Sequence, residues 1–172
     1  MPSYDHNRVS IDRLREVLEY CSVTGQFTWK VSPAPRIKAG ALAGKVNPRG
    51  YAFVTFERTT HAAHRLAWAF HYGEWPESGI DHINRIKTDN RIANLRLATA
   101  SQNNANYGIG RANTSGFKGV TRLRHGSWQA QIQVNGKNHY LGAFRSKEDA
   151  AGAYSAAAQQ FFGEFAGAGG PP

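Results

Sequence analysis

Residues Trp128-Gln-Ala-Gln-Ile-Gln-Val134 alternate apolar and polar side chains without a break. Successive residues of a strand face opposite ways. Trp128, Ala130, Ile132 and Val134 therefore share one face, and Gln129, Gln131 and Gln133 share the other. A helix would scatter the same residues around its axis. Asn135-Gly136 follows at once, a pair that favours the tight turn of a β-hairpin. Lys137 to Phe144 returns as the next strand, and residues 116–120, with a turn over 121–124, supply a first one. Ser146-Lys-Glu-Asp149 caps a helix, along which Ala150, Ala153, Tyr154, Ala157, Ala158 and Phe161 recur at helical spacing. The pattern predicts a three-stranded antiparallel sheet whose apolar face packs on one helix.

The glutamine face of that sheet is left open. Between Ser115 and Arg145 there are five Lys/Arg residues and no Asp or Glu. Glutamine can bond adenine through two atoms in the major groove, which a β-ribbon can enter. The competing reading is a polar, solvated outer face, common in antiparallel sheets. The whole chain has a formal charge of +9 and a pI near 10.0, which favours a polyanionic partner. A basic ribosomal or membrane-surface protein would share that balance, so charge alone does not choose. Cys21 is the single cysteine, which leaves no intramolecular disulfide and no cysteine zinc cluster and fits a reducing, cytoplasmic setting. No apolar run approaches membrane-spanning length, and the N-terminus lacks a signal-peptide core, so no membrane partner is expected.

A second pattern concerns chemistry. Gly79-Ile80-Asp81-His82-Ile83-Asn84 sets an acid beside a histidine, and Asn94-Leu95-Arg96 and Asn103 follow downstream. Asp81 is an anionic oxygen donor, Asn103 offers a neutral carbonyl oxygen, and His82 takes a proton near neutral pH. Hard cations such as magnesium prefer oxygen donors and keep several waters, so two protein oxygens can suffice. A base beside such an ion can cut a phosphodiester. Residues 80–84 read as a short strand, 88–91 as a polar turn and Leu95-Arg96-Leu97-Ala98 as a second strand. Thr99-x-x-Gln102 is a capping box opening a helix that carries Asn103. Asp81 and His82 are neighbours on a strand, so an ideal strand would aim them apart. Either the backbone twists there or the site straddles the strand end.

Earlier in the chain, Ser10 and Asp12 open a helix carrying Ile11, Leu14, Val17 and Leu18, expected to end before Thr24-Gly25. Phe27-Thr28-Trp29, a short piece within Ala41–Val46, and Tyr51–Phe56 read as strands. His64–Tyr72 reads as a helix stopped by Gly73, with Leu66, Ala67 and Phe70 inward. Lys30, Arg36, Lys38, Lys45 and Arg49 form either a phosphate-gripping surface or solvated loop charge. Of the seven histidines, His6 is assigned to a mobile terminus, and His61 and His71 to surface or packing roles. His125 and His139 border the sheet and are candidates for phosphate.

The pattern Asp81-His82 … Asp89-Asn90 … Asn94-Leu95-Arg96 … Asn103, preceded by His64-Arg65-Leu66-Ala67-Trp68 and Gly73-Glu74-Trp75-Pro76, resembles the HNH endonuclease family in its phage and homing-endonuclease branch. The resemblance runs from about residue 10 to residue 106. It implies a ββα-metal site in which His82 is the general base and Asp81 and Asn103 hold one divalent ion, magnesium or alternatively manganese. Asn94, counted with His82 in the catalytic set, braces the loop. Asparagine stands at position 103 where the strict motif has a second histidine, which argues against a nitrogen-rich zinc site. Residues Ser115-Gly-Phe-Lys-Gly-Val120, Trp128-x-Ala-x-Ile132, Tyr140-Leu-Gly-x-Phe144 and Glu148-Asp-Ala-Ala … Ala153-Tyr154 … Ala157-Ala158 resemble the APETALA2/ethylene-response-factor DNA-binding domain. That resemblance implies a sheet lying in the major groove, with Lys118, Gln131, Gln133, Asn138 and Tyr140 at DNA-touching positions. Thr121 and Leu123 depart from the plant pattern, so its sequence preference is not carried over.

The expected fold is α+β: a ββα-metal nuclease module over 1–105, a linker over 106–114, an APETALA2-type module over 115–166 and a disordered tail over 167–172. The expected partner is double-stranded DNA, met by a monomer inside a bacterial host or encoded by a phage. Arg65, Arg85, Arg96, Lys118, Arg122, Arg124, Gln129, Gln131, Gln133, Lys137, Asn138 and Tyr140 are the candidate DNA contacts. The alternatives are a non-catalytic DNA-binding protein on a nuclease-like scaffold and a basic RNA-binding or structural protein.

Overall fold

The structure is a computed structural model that describes residues 9–167. The expectations for His6 and for the 168–172 end of the tail lie outside the described residues. They form two compact units, one ending at Leu97 and the other starting at Ala98. The fold is mixed α/β with antiparallel sheets.

The first unit opens with α1 (Ile11–Val17), whose N-cap Ser10 side chain accepts the Arg13 amide. The helix is shorter than its periodicity predicts. Leu18–Cys21 is instead β1, paired antiparallel with β2 (Gln26–Trp29) across a turn in which Gly25 has a φ of +72°. Leu18 keeps its place in the core by either geometry, so helical spacing alone could not locate the helix end. The expected strand in 41–46 is two short ones, β3 (Leu42–Ala43) and β4 (Lys45–Val46), separated by Gly44. β3 extends the β1–β2 sheet, while β4 pairs with β5 (Ala52–Phe56). An unexpected strand, β6 (Thr59–Ala62), pairs with β5 through a tight turn at Glu57 and Arg58. Both turn residues have positive φ, the conformation usually signalled by Asn-Gly or Asp-Gly. Glu-Arg gave no such signal.

Helix α2 (Ala63–Tyr72) ends on Gly73 in the left-handed conformation, as expected. Strands β7 (Gly79–His82) and β8 (Leu95–Ala98) form a two-stranded sheet. Leu14, Leu18, Phe27, Trp29, Val54, Leu66, Ala67, Ile80 and Leu95 are buried in one core, so β7 and β8 rest on apolar residues drawn from α1 to α2.

In the second unit, α3 (Ala100–Asn106) opens on a complete capping box between Thr99 and Gln102. The sheet consists of β9 (Val120–Arg122), β10 (Trp128–Val134) and β11 (Lys137–Phe144), with β10 central and both pairings antiparallel. The first strand starts later than predicted because 116–119 is a turn with positive φ at Gly116 and Gly119. A Cβ on Gly119 would stand 2.2 Å from the Tyr154 ring and 2.4 Å from the Gln131 carbonyl oxygen, so only glycine fits that approach. Helix α4 (Lys147–Phe162), capped by Ser146, packs on the apolar face. Leu141 is an extra residue in β11 opposite the Ala130–Gln131 step, a bulge of the kind that re-aims side chains.

Candidate functional site

The loop between β7 and β8 is built from asparagine and aspartate bonds. Asn94 Oδ1 accepts the Asn84 amide at 3.0 Å, and its Nδ2 donates to the Asp89 carbonyl at 2.8 Å. Its own carbonyl accepts from the Ile83 amide at 2.9 Å. One buried side chain thus closes both ends of the loop. Within it, Asn84 Oδ1 accepts the Ile86 amide and Asn84 Nδ2 donates to Asp89 Oδ2 at 2.6 Å. Asp89 also takes the Arg91 guanidinium on both oxygens, at 2.8 and 2.6 Å. That guanidinium is the first cause holding the Asp89 carboxyl down at about 2.

β7 ends at His82, and both Asp81 and His82 are buried. Their partners lie on different elements. Asp81 Oδ2 receives Arg96 Nε at 2.9 Å and Nη2 at 2.8 Å from β8. His82 Nε2 lies 3.2 Å from Asn90 Oδ1. Its ring meets the His64 ring of α2 edge-on, with centroids 5.3 Å apart, and Tyr51 lies 5.7 Å from His64 and 6.2 Å from His82. Lys87 Nζ sits 4.6 Å over the Tyr51 ring and donates to the Arg49 carbonyl. Burial pushes the His82 imidazole below its ordinary value, against the bond to Asn90 and the charge of Asp81. A histidine so lowered is neutral at pH 7 and can accept a proton.

The structure therefore gathers His82 with His64, Tyr51, Asn90 and Lys87, and Asp81 with Arg96. Asn103 is half-buried on α3, in the second unit. Asn90, Tyr51 and Lys87 were not among the predicted site residues. Asn90 stood inside the quoted motif, and an Asx residue two places after Thr88 was the available signal. Among the described residues no group of three or more His, Cys, Asp or Glu side chains converges. Within the first unit the buried Asp81 carboxylate beside His82 is an anionic oxygen donor, the donor type taken by a hard divalent ion that keeps most of its waters.

Several predicted DNA contacts have other partners. Arg65 donates to the Ser78 and Pro76 carbonyls at 3.1 and 3.0 Å and ties α2 to the segment before β7. Arg96 is engaged by Asp81. Lys118 Nζ donates to the carbonyls of Asn104, Ala105 and Tyr107 at 2.7, 2.8 and 2.7 Å. An ammonium has three N–H groups, so those bonds fasten Lys118 to the end of α3. Arg122 lies over the Trp128 ring at 5.8 Å, on the helix side of the sheet, and His139 faces the Phe161 ring of α4 at 5.3 Å. Both turn away from the glutamines, as strand alternation requires. Lys30 Nζ caps the Arg15 carbonyl. His61 is fully buried and stacked on Trp75, a packing role.

The open face of the sheet keeps its expected residues. Gln131 stands opposite Tyr140 and Gln133 opposite Asn138, all four exposed. Gln129 Nε2 donates to Gln131 Oε1 at 3.3 Å, and Tyr140 is 65% exposed. Arg85, Arg124 and Lys137 are exposed on turns or strand ends.

Residues 61–105 match the family model of the HNH endonuclease. An uncharacterized HNH endonuclease of Acanthamoeba polyphaga mimivirus is 37% identical over 87 residues, covering 51% of this chain and 44% of that protein. Protein 3.8 of Escherichia phage T7 is 32% identical over 87 residues, covering 49% of this chain and 69% of that protein. An AP2/ERF and B3 domain-containing transcription factor of Arabidopsis thaliana is 44% identical over 46 residues, covering 27% of this chain and 13% of that protein. The chain thus spans less than half the length of the mimivirus protein and a small part of the plant one. No solved structure matches. Among the described residues no helix is long and apolar enough to cross a membrane. The match over 61–105, together with the similarity to the phage protein, shows that this chain belongs to the HNH endonuclease family, with an APETALA2/ERF-type segment toward its C-terminus.

Proposed function

We propose that the chain is a metal-dependent endonuclease that hydrolyses phosphodiester bonds of double-stranded DNA and reads its substrate through the C-terminal sheet. The observation that carries this reading is His82: buried, shifted toward its neutral form and hydrogen-bonded to Asn90, next to the buried carboxylate of Asp81. Neutral His82 takes a proton from water, and the oxygen left behind attacks phosphorus. Asp81 and Asn103 would hold a divalent ion, magnesium or manganese, which when bound stabilises negative charge on the phosphate and the leaving oxygen. Asn94 keeps the loop closed, and Arg85 is available to the DNA backbone. Gln129, Gln131, Gln133, Asn138 and Tyr140 present the reading face, with Arg124 and Lys137 beside it for phosphate.

One observation favours a second reading. Asp81 Oδ2 already receives two N–H groups from Arg96, as it would in a non-catalytic scaffold that only binds DNA. Incubation with supercoiled plasmid, with EDTA and with magnesium or manganese added back, separates the two. The nuclease reading predicts nicked or linear product that EDTA abolishes and metal restores. Binding without cleavage under every metal condition contradicts it.

A further inference from the structure

Asn90 is 3% exposed, and both ends of its side-chain amide are committed. Nδ2 donates to the Thr88 carbonyl at 3.2 Å, and Oδ1 lies 3.2 Å from His82 Nε2. The first bond fixes the amide's direction, because a carbonyl can only accept and so must meet the NH2 end. The end facing His82 is therefore the oxygen. An amide oxygen donates nothing, so the hydrogen of the second bond belongs to His82 Nε2. A neutral imidazole carries one hydrogen and one ring lone pair, which puts the lone pair on Nδ1.

We propose that Asn90 is a positioning residue that selects the Nε2–H tautomer of His82 and so makes Nδ1 the atom that receives the proton of water. The backbone around Asn90 is held for this task from the β1–β2 hairpin. The Tyr20 hydroxyl donates to the Asn90 carbonyl at 2.7 Å, and burial pushes that hydroxyl up to about 12, so it remains a donor. Gly25 packs so closely that a Cβ there would stand 2.4 Å from the Arg91 nitrogen and 2.6 Å from the Asn90 carbonyl carbon. The Ile92 amide reaches the Ser22 carbonyl at 3.4 Å. A loop fixed from outside can hold one amide in one orientation, which a solvated asparagine could not do.

The proton balance is simple. Water gives its proton to Nδ1, and the oxygen's pair forms the new bond to phosphorus. The bond from phosphorus to the leaving oxygen breaks with its pair, and that oxygen takes a proton from solvent. Through the whole step the Nε2–H bond to Asn90 Oδ1 is kept, now donated by an imidazolium. Only the identity of the proton as water's rests on the nuclease reading; the tautomer does not.

The test uses the full chain, without metal or DNA, labelled with ¹⁵N in its histidine rings. Long-range ¹H–¹⁵N correlation is recorded at a pH where the ring is neutral, and the His82 signals are identified by their loss in His82→Gln. The expected spectrum has Nε2 at a pyrrole-type shift and Nδ1 at a pyridine-type shift. Asn90→Ala should average the two shifts and lower kcat about 10–100-fold with KM little changed, the usual size for a residue that orients a functional histidine. Asn90→Asp, which still offers an oxygen acceptor, should restore the parental shifts. An Nδ1–H tautomer in the parent overturns the proposal, as do unchanged shifts in a folded Asn90→Ala. The parental spectrum decides even where a variant fails to fold. An Nε2–H tautomer in a chain that cuts no DNA would sustain the positioning role while the nuclease reading fell.

Discussion

The β7–β8 region and the open face of the C-terminal sheet are both rich in uncharged polar side chains, yet they treat them in opposite ways. Around β7, Asn90, Asn94, Asp81 and His82 are buried, and each has a named partner at hydrogen-bonding distance. On the sheet, Gln131, Gln133, Asn138 and Tyr140 are exposed, and the one side-chain bond described among the glutamines is 3.3 Å long. Burying a polar group is costly unless it is bonded, so the first set is held in single rotamers. Solvated glutamines keep their rotamer freedom and can adapt to a base edge. On the proposed reading, chemistry that needs fixed atoms and recognition that needs adaptable ones occupy different parts of the chain.

The largest expected effect tests the fixed region. His82→Ala should lower cleavage by about 10²–10⁴-fold, the range supplied by a positioned general base, while DNA affinity stays near the parental value. Burial lowers the His82 imidazole from its ordinary 6.5, so the base form is present above the lowered value and is lost below it. The acid limb of the pH–rate profile should therefore fall below pH 6.5. A limb at or above that value would show that a different or less buried group accepts the proton.

A second comparison lies between two ion pairs. Arg96 and Asp81 are 13% and 4% exposed at their side chains, whereas Arg91, which pairs with Asp89, is 53% exposed. Arg96→Ala strands a buried carboxylate and should cost about 3–5 kcal/mol, measured by urea unfolding. Arg91→Ala should lower the unfolding midpoint by less than Arg96→Ala, because Arg91 is screened by solvent and Asp89, itself 13% exposed, keeps its bond from Asn84. Equal effects from the two would remove the distinction. Asp89 adds a pH signature. Its folded value is depressed to about 2, so its contribution is present above the ordinary carboxylate range and is lost as pH falls toward 2.

The smallest stability effects belong to the sheet face. Gln131→Ala and Gln133→Ala should change stability by no more than about 0.5 kcal/mol, yet weaken specific DNA binding by roughly 1–3 kcal/mol each where a base pair is read. Loss of stability without loss of binding would return the glutamines to plain surface.

How much of this was legible in the sequence follows the same divide. β10, β11, α4 and the capping box at Thr99 lie where local patterning put them, because alternation, Asn-Gly and Ser-x-x-Asp act within a few residues. The end of α1 and the strand β6 were missed, since Leu18 suits a helix or a strand and Glu57-Arg58 gives no turn signal. Asp81, His82 and Asn94 stood out by spacing. Arg65 and Lys118 were expected at DNA, and the carbonyls they meet were not foreseen, because a positive charge in a sequence does not show which backbone carbonyls it will meet. The assignment of Asn90 needed coordinates, since its role depends on which end of its amide faces Thr88.

The central claim is that His82 is a neutral base in a centre that a divalent ion completes. Its most direct test is magnesium-dependent plasmid cleavage by the parent and by His82→Ala, each with DNA binding measured on the same preparation. The account predicts cleavage by the parent that EDTA stops, and bound but uncut plasmid with the variant. Equal cutting by both proteins, or cutting by the parent that ignores EDTA, would contradict it.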